Sequence, residues 1–319
     1  MIVFTDADEV PADFGPSVVA IGKFDGVHSG HRAVIARARI EAEGAGARVV
    51  AVTFDRNPLS LLRPEICPDP LTSLDQKLHF LAAEGVDATL VLRFDEELAA
   101  LPARTFVERF LVGALKAVTV MVGDDFRFGH GGQGNPEMLK EVGRELGFDV
   151  DVVGDVQGAG RRVSSTWIRE LLAAGDVDGA ARLLGRPHVV RAEVVHGLKR
   201  GRELGFPTAN LSADAEGYIP ADGVYAGWLL DEGPLDALTR SVTRYPAAIS
   251  VGTNPTFDDV PTRQVEAYVL DETELDLYGH RVEVQFSHRI RGMVAFEGIE
   301  PLRAQIADDV TRVRAALDA

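Results

Sequence analysis

The pattern of the sequence changes once, close to the tripeptide Gly185-Arg186-Pro187, and this change limits how the chain can fold. Before it, short apolar runs typical of buried strands alternate with segments of helical periodicity. After it, strand-like segments follow one another between Gly, Pro and Asp clusters, and helical periodicity returns only near the C-terminus. We therefore predict two domains, residues 1–186 and 187–319, which suits a length of 319 residues.

Strands and helices alternate in the first predicted domain. Buried strands that are separated by helices form parallel sheets, because each parallel connection must cross a face of the sheet. We therefore predict an α/β fold with a doubly wound parallel sheet and helices on both faces. The predicted strands are 18–21, 48–54, 87–92, 117–122 and 148–153, and the predicted helices are 31–43, 73–84, 102–115, 135–146, 165–174 and 177–184.

Short strands with turn signals between them dominate the second predicted domain. Such a pattern favours a small antiparallel barrel. The last stretch, residues 302–317, has helical spacing, and we expect it to pack across the barrel. The predicted strands are 189–195, 224–230, 247–251, 264–270 and 282–286.

The charge of the chain excludes some classes of partner. There are 33 Lys and Arg against 49 Asp and Glu, a net charge of −16, whereas nucleic acids and anionic membranes require a basic surface. The net charge does not exclude small phosphorylated ligands, because helix N-termini and a few cations can hold them. The single cysteine, Cys67, an acidic N-terminal segment and the lack of a long apolar run lead us to expect a cytoplasmic protein with neither nucleic acid nor membrane as partner.

The densest group of chemistry-bearing residues is GKFDGVHSGH, residues 22–31, where the first predicted strand meets the first helix. This corner of a parallel α/β fold binds phosphates, because glycines allow close approach and the helix N-terminus attracts anions. His28 and His31 are three residues apart, so both rings can donate hydrogen bonds to phosphate oxygens from one side of the helix. Two alternatives are a pair of zinc ligands and ordinary surface histidines. A P-loop is excluded, because no GxxxxGK[ST] sequence occurs.

Two later segments carry further candidates. GDDFRFG, residues 123–129, follows a predicted strand, so Asp124 and Asp125 would lie at the edge of the sheet where ligands bind. In SSTWIR, residues 164–169, two hydroxyl residues open a helix and Arg169 follows one turn later as a cation that could face phosphate. Plain helix capping also explains the hydroxyl residues. Arg161 and Arg162 add positive charge just upstream.

Together these segments resemble a known family. GKFDGVHSGHRAVI is similar to the HxGH signature of the nucleotidyltransferase superfamily, and FDGVHxGH resembles the adenylyltransferase half of bacterial bifunctional riboflavin kinase/FAD synthetases, which also carry GxDFxFG and SSTxIR segments. The resemblance implies that this domain transfers AMP from ATP to FMN, giving FAD and pyrophosphate. The implied catalytic residues are His28, His31 and Arg169, and the implied ATP and FMN contacts are Gly22, Phe24, Asp25, Gly26, Gly30, Asp124, Asp125, Arg162, Ser165 and Thr166.

A second dense group is GRELGFPTANL, residues 201–211. In an extended chain Thr208 and Asn210 point to the same side, and neutral oxygens paired in this way suit Mg²⁺. A structured turn before a strand is the alternative. The string resembles the riboflavin kinase signature, and GVY at 223–225, GTNPTF at 252–257 and DLYG at 276–279 follow in the order of that family. Tyr268 departs from it, since relatives often carry His there.

The second resemblance implies a six-stranded antiparallel barrel that phosphorylates riboflavin with ATP, giving FMN and ADP. Glu266 falls where the family has its catalytic glutamate, and Thr208 and Asn210 would hold the Mg²⁺ that accompanies ATP. The implied ATP and riboflavin contacts are Gly201, Gly205, Phe206, Pro207 and Asn254. The alternatives are an adenylyltransferase for another small phosphate fused to an unrelated barrel, and a flavin-sensing or RNA-binding module. A homo-oligomer is also left open.

Overall fold

The computed structural model describes residues 1–197, 205–235, 242–253, 263–272 and 275–318. They form two compact units, Met1–Ser165 and Thr166–Ala319. In this division the segment 166–184, which carries two helices, groups with the second unit. The predicted domain border after residue 186 stays a prediction.

The first unit is built on a six-stranded sheet with the order β1-β4-β3-β2-β5-β6, and every neighbouring pair is parallel. The chain winds outward from β2 in both directions, so the point where the winding reverses lies between β2 and β5. This confirms the predicted doubly wound fold. The strands are β1 Ile2–Phe4, β2 Ser17–Ile21, β3 Arg48–Phe54, β4 Ala88–Leu92, β5 Ala117–Gly123 and β6 Asp149–Val153, with a separate hairpin of β7 Gln157–Gly158 and β8 Arg161–Arg162.

Helices cover both faces of this sheet. Successive residues of β2 point to opposite faces, so Val19 and Ile21 belong to one apolar cluster and Val18 and Ala20 to another. The helices are α1 Ser29–Ala45, α2 Leu59–Leu62, α3 Leu74–Ala83, α4 Glu96–Ala100, α5 Ala103–Phe106 and α6 Pro136–Leu146, with short 3₁₀ turns at Ala7–Glu9, Pro64–Ile66 and His130–Gly132.

One predicted helix, 102–115, differs from expectation. It starts as α5 and continues as a π-helical segment, Val107–Ala114, closed by a hydrogen bond from the Leu115 N–H to the Phe110 carbonyl oxygen. The wider turn brings Phe106, Phe110 and Leu115 to the core, all at most 4% exposed. Their spacing of four and five residues fits a turn of more than 3.6 residues, which explains why this segment is a π-helix rather than an α-helix.

The second unit contains a closed antiparallel barrel with the strand order β10-β13-β12-β11-β14-β9, which confirms the predicted six-stranded barrel. The helix at Ile299–Leu317 packs on β11, β12 and β14, as expected. Two further helices, α7 and α8, complete the unit. The bounds are α7 Ser165–Ala174, whose first residue closes the first unit, α8 Val177–Leu184, β9 His188–Val195, β10 Thr208–Leu211, β11 Gly223–Pro234, β12 Thr243–Thr253, β13 Arg263–Val269 and β14 His280–Arg291. Within the described ranges, no helix is both long and apolar enough to cross a membrane.

His188, at the start of β9, is a buried histidine in the barrel. Its Nε2 lies 2.5 Å from the Tyr218 carbonyl oxygen, and its ring stacks on Phe286 with centroids 6.2 Å apart. Burial lowers the pKa of His188 from 6.5 to about 4, against the opposing hydrogen bond to Tyr218 and with a contribution from the Arg186 charge. The folded barrel therefore holds this ring neutral.

We predict that the second unit loses stability as pH falls below 6.5. The unfolded chain binds a proton at His188 near pH 6.5 and the folded chain does so only near pH 4, so stability is complete above pH 6.5. The loss between pH 8 and pH 5 is about 2 kcal/mol by proton linkage. Urea unfolding followed by tryptophan fluorescence measures it, because both tryptophans, Trp167 and Trp228, belong to the second unit.

The variant His188→Phe should flatten this dependence between pH 8 and pH 5, whatever it does to stability at pH 8. The exposed His79 supplies the control, and His79→Gln should keep the full pH dependence. An undiminished pH dependence in His188→Phe would contradict the assignment.

Candidate active sites

The turn between β2 and α1, residues 22–28, lies at the C-terminal end of a central strand, next to the point where the winding of the sheet reverses. Its backbone is unusual. Gly26 has φ of +81°, and two residues that are not glycine, Phe24 at +50° and Val27 at +41°, also lie in the left-handed region. Such strain in a β-branched residue is uncommon and is concentrated at functional sites. Sequence analysis did not predict this strain.

The two histidines of the turn are brought together as predicted. His28 occupies the N-cap position of α1, and its ring stacks on His31 with centroids 3.7 Å apart and planes 22° apart. Phe24 packs against His31 on the far side, at 5.2 Å. Both imidazoles therefore lie where the free N–H groups of α1 face outward. The alternative of a zinc site finds no support among the described residues, where no three His, Cys, Asp or Glu are grouped to hold a metal ion.

Asp25 holds the turn in place. One of its carboxylate oxygens, Oδ1, accepts a hydrogen bond from the Leu71 N–H at 2.9 Å, and its backbone carbonyl accepts one from the Ser165 hydroxyl at 2.9 Å. The next residue, Gly26, donates its N–H to the Thr72 hydroxyl at 3.3 Å. Asp25 and Ser165 are thus joined to each other, and their contact with nucleotide stays a prediction.

Lys77 is a buried cation beside this turn that sequence reasoning missed. Its Nζ donates to the Phe54 carbonyl at 3.0 Å, at the end of β3, and lies 3.4 Å from the Thr53 hydroxyl. Desolvation lowers the pKa of the Lys77 ammonium, and the carboxylates of Asp25 and Asp55 oppose that shift. Its position on α3 carried a signal, because Lys77 precedes the fully buried Leu81 by one helical turn.

At the end of β5, Asp125 pairs with Arg162. The Arg162 Nη2 lies 3.0 Å from Asp125 Oδ2, and its Nε lies 2.9 Å from Asp155 Oδ1. The hydrogen bond from Arg162 lowers the pKa of the Asp125 carboxyl, with the charges of Arg162 and Lys23 acting in the same direction against desolvation. Asp124 is exposed beside them. The pairing associates Arg162 with this edge of the sheet; a ligand contact at any of these residues stays a prediction.

Thr166 and Arg169 lie on α7 as predicted, the first exposed and the second half-buried. Both belong to the second unit, whereas the histidines belong to the first. Their cooperation with His28 and His31 therefore stays a prediction. Gly22 and Gly30 flank the turn, and a Cβ at Gly30 would lie only 3.0 Å from the His28 ring, so this position suits glycine.

The second candidate site lies on the wall formed by β10 and β13. In this antiparallel pair Asn210 stands opposite Glu266 and Thr208 stands opposite Tyr268. The Thr208 hydroxyl lies 3.3 Å from Glu266 Oε2, and the Asn210 amide nitrogen lies 3.4 Å from the same hydroxyl. The structure therefore brings the three predicted residues together, across a gap of 58 positions in sequence between Thr208 and Glu266.

A small open cavity adjoins this wall. Thr208, Asn210 and Pro207 line it, together with Tyr278 of the DLYG segment, whereas Glu266 does not. Gly197 also lines it, and a Cβ there would lie 2.4 Å from the Asn210 side chain, so a larger residue would force that side chain to move.

Of the remaining predicted residues of this site, the structure describes two and leaves two outside the described residues. Phe206 packs edge-on against Tyr268, with centroids 5.4 Å apart, and Gly205 has φ of +88°, which favours glycine. Desolvation raises the pKa of the Tyr268 hydroxyl. Gly201 and Asn254 lie outside the described residues.

Two protein-family models match the chain, one in each half. The FAD synthetase family model matches residues 10–167, which include both histidines and the SSTW start of α7. The riboflavin kinase family model matches residues 184–317, which include Thr208, Asn210 and Glu266. The alternative of an unrelated barrel fused to an adenylyltransferase is thereby excluded.

Relatives that carry both parts align with the chain from end to end. The bifunctional riboflavin kinase/FMN adenylyltransferases of Escherichia coli (strain K12), Pseudomonas fluorescens and Listeria monocytogenes are 38%, 37% and 36% identical to it, over 93% of the chain and 91%, 92% and 91% of their own lengths. A solved structure from Streptococcus pneumoniae, named as a macrolide-efflux protein, superposes with a TM-score of 0.84 at 31% identity over 98% of each chain. On these full-length matches, the chain belongs to the family of bifunctional riboflavin kinase/FMN adenylyltransferases.

Proposed function

We propose that the two activities of this family are divided between the two sites described above. The turn at residues 22–28, with the helix N-termini beside it, would adenylylate FMN. The wall that carries Thr208, Asn210 and Glu266 would phosphorylate riboflavin. One observation at each site carries the proposal: the rings of His28 and His31 stack at a helix N-terminus, and Thr208 contacts Glu266, 58 positions away in sequence, across two strands.

In the adenylylation step, a phosphate oxygen of FMN attacks the α-phosphorus of ATP, and the bond to the departing pyrophosphate breaks. A phosphate monoester is largely ionised at neutral pH, so the attack needs no strong base. The protein has to position the two anions and stabilise the charge that develops between them. We assign this to His28, His31 and the N–H groups of α1, and the family resemblance implies a part for Thr166 and Arg169.

In the kinase step, the 5′-hydroxyl of riboflavin attacks the γ-phosphorus of ATP, and ADP leaves. We assign to Glu266 the acceptance or orientation of the hydroxyl proton. The half-buried side chains of Thr208 and Asn210 beside the open cavity support this, because they leave room for phosphates next to the carboxylate.

The residues at the wall fit Mg²⁺. The Thr208 hydroxyl lies within hydrogen-bond distance of both the Asn210 amide and the Glu266 carboxylate, and oxygen groups of these kinds are the hard ligands that this ion takes. Thr208 and Asn210 would hold the ion, which supplies neutralisation of phosphate charge when bound.

We also propose a reducing cytoplasmic setting and partners restricted to riboflavin, FMN, FAD, ATP, ADP and pyrophosphate. The single cysteine and the net charge of −16 support this. A homo-oligomer stays an alternative to a monomer, and light scattering distinguishes the two.

We predict that the two activities separate by mutation. The double variant His28→Ala/His31→Ala should lower FAD formation at least about 100-fold, because transition-state hydrogen bonds are lost, while FMN still accumulates from riboflavin. Glu266→Ala should lower FMN formation at least about 100-fold and leave FAD formation from supplied FMN intact. Chromatography of the flavins after incubation with ATP and Mg²⁺ measures both.

Matched controls are available for each variant. His79→Ala replaces an exposed histidine of the first unit, and Glu193→Ala replaces an exposed glutamate on the barrel strand β9. Both should retain both activities. The assignment of the two sites is wrong if a folded site variant loses both activities together.

We predict that Asn210 sets the Mg²⁺ requirement of the kinase step. Asn210→Ala removes an oxygen ligand and should raise the Mg²⁺ concentration for half-maximal FMN formation at least about tenfold. Asn210→Asp keeps an oxygen at this position and should stay near the wild-type requirement. Equal Mg²⁺ titrations for the two variants would refute a ligand role.

A further inference from the structure

Lys77, on α3, is a buried cation that the proposed function does not use. It is only 8% exposed, although lysine is almost never buried unless it is paired. Desolvation lowers the pKa of its ammonium, and the carboxylates of Asp25, in the turn at residues 22–28, and Asp55, just beyond β3, oppose that shift. Because a buried charge costs free energy even when it is paired, the position of Lys77 has to be explained by what the ammonium contacts.

The ammonium is joined to the backbone of the turn through one hydroxyl group. The Lys77 Nζ donates to the Thr53 hydroxyl oxygen at 3.4 Å, and this hydroxyl donates to the Lys23 carbonyl oxygen at 3.2 Å. The Nζ also donates to the Phe54 carbonyl oxygen at 3.0 Å, at the end of β3. A hydroxyl that accepts from a cation becomes a stronger donor, so the two bonds at Thr53 support each other.

The Lys23 carbonyl lies where the turn leaves the sheet. At the end of β2 the Gly22 N–H donates to the Val52 carbonyl oxygen of β3, at 3.1 Å. The next carbonyl along the chain, that of Lys23, is held by a side chain, the Thr53 hydroxyl. Phe24 follows with φ of +50°, so the direction of the backbone at Lys23 decides how the strained part of the turn begins.

The packing of α3 carries this arrangement to the histidines. Leu81, one helical turn after Lys77, belongs to the same apolar cluster as Phe24. Phe24 packs against the ring of His31, and that ring stacks on His28. Because closely packed side chains transmit displacements, a shift of the backbone at the start of the turn would reach both imidazoles.

We propose that Lys77 is a positioning residue for FMN adenylylation, acting through the Thr53 hydroxyl on the backbone of the turn at residues 22–28. The proposal rests on the proposed function, which assigns the adenylylation step to His28 and His31. Every group in this chain of contacts belongs to the first unit, so the proposal is independent of the barrel. In this role Lys77 holds the turn and need not contact either substrate.

The test compares the two activities of Lys77→Met in the full-length protein. Methionine keeps the unbranched shape of lysine and removes its charge and its donors. We expect kcat for FMN adenylylation to fall at least about tenfold with KM for ATP and FMN changed less than about threefold, because displaced histidines lose contact with charge that develops in the transition state. Riboflavin phosphorylation should stay within about twofold of wild type, because the barrel is untouched.

Thr53→Val reaches the same path without removing the buried charge. Valine has the shape of threonine without the hydroxyl, and kcat for adenylylation should again fall, at least about fivefold, at nearly constant KM. In the Lys77→Met background it should add less than about a twofold further loss, since both changes break one path. Independent, multiplying losses would refute the shared path. Thr53→Val decides alone if Lys77→Met no longer binds FAD saturably, as followed by flavin fluorescence.

Thr89→Val is the matched control. Thr89 is a fully buried threonine on the neighbouring strand β4, and its hydroxyl lies 3.2 Å from the Met1 sulfur. Both activities should stay within about twofold of wild type, because this hydroxyl is outside the path. The proposal is overturned if Lys77→Met leaves adenylylation within that range, if it raises KM in place of lowering kcat, or if Thr89→Val reproduces the loss.

The double variant His28→Ala/His31→Ala separates this proposal from the one on which it rests. Unchanged FAD formation in the double variant would refute the assignment of the histidines and, with it, the target of the Lys77 contact. A loss in the double variant, with wild-type adenylylation in Lys77→Met and Thr53→Val, would refute the positioning role alone.

Discussion

The turn at residues 22–28 has a backbone that a free chain avoids, and the arrangement of the first unit around it keeps it in place. Phe24 and Val27 have positive φ, at a cost of about 1–3 kcal/mol each. Both side chains are almost completely buried, which contributes about 1.5–3 kcal/mol each and offsets the strain. Asp25, between them, is tied to the Leu71 N–H. The turn is therefore set before any ligand arrives, which is what positioning of two anions requires.

A protein with a net charge of −16 has to attract nucleotides through local groups rather than through its overall field. Arg162 is paired with Asp125 and Asp155, and its contact with a ligand stays a prediction. The N–H groups at the start of α1 remain close to the histidines. Net charge thus argued against large polyanions and carried no information about small ones.

Much of the fold could be predicted from the sequence because local pattern and tertiary packing agree. The capping box of Ser73 and Gln76 and the N-cap Asn135 start their helices where predicted. Four strands were not predicted: β1 has three residues, β10 has four, and β7 and β8 have two each. None of them is long enough to show a period of two.

In the candidate sites, too, the sequence predicted local contacts but not contacts between distant segments. Spacing along one element predicted that His28 would meet His31 and that Thr208 would lie beside Asn210, since helix and strand geometry are local. The contact of Thr208 with Glu266 depends on the register between two strands, which only the closed barrel fixes, and the sequence supplied it through family resemblance alone. The burial of Lys77 beneath the turn was missed, although Lys77 precedes the buried Leu81 by one helical turn, because lysine side chains are usually exposed.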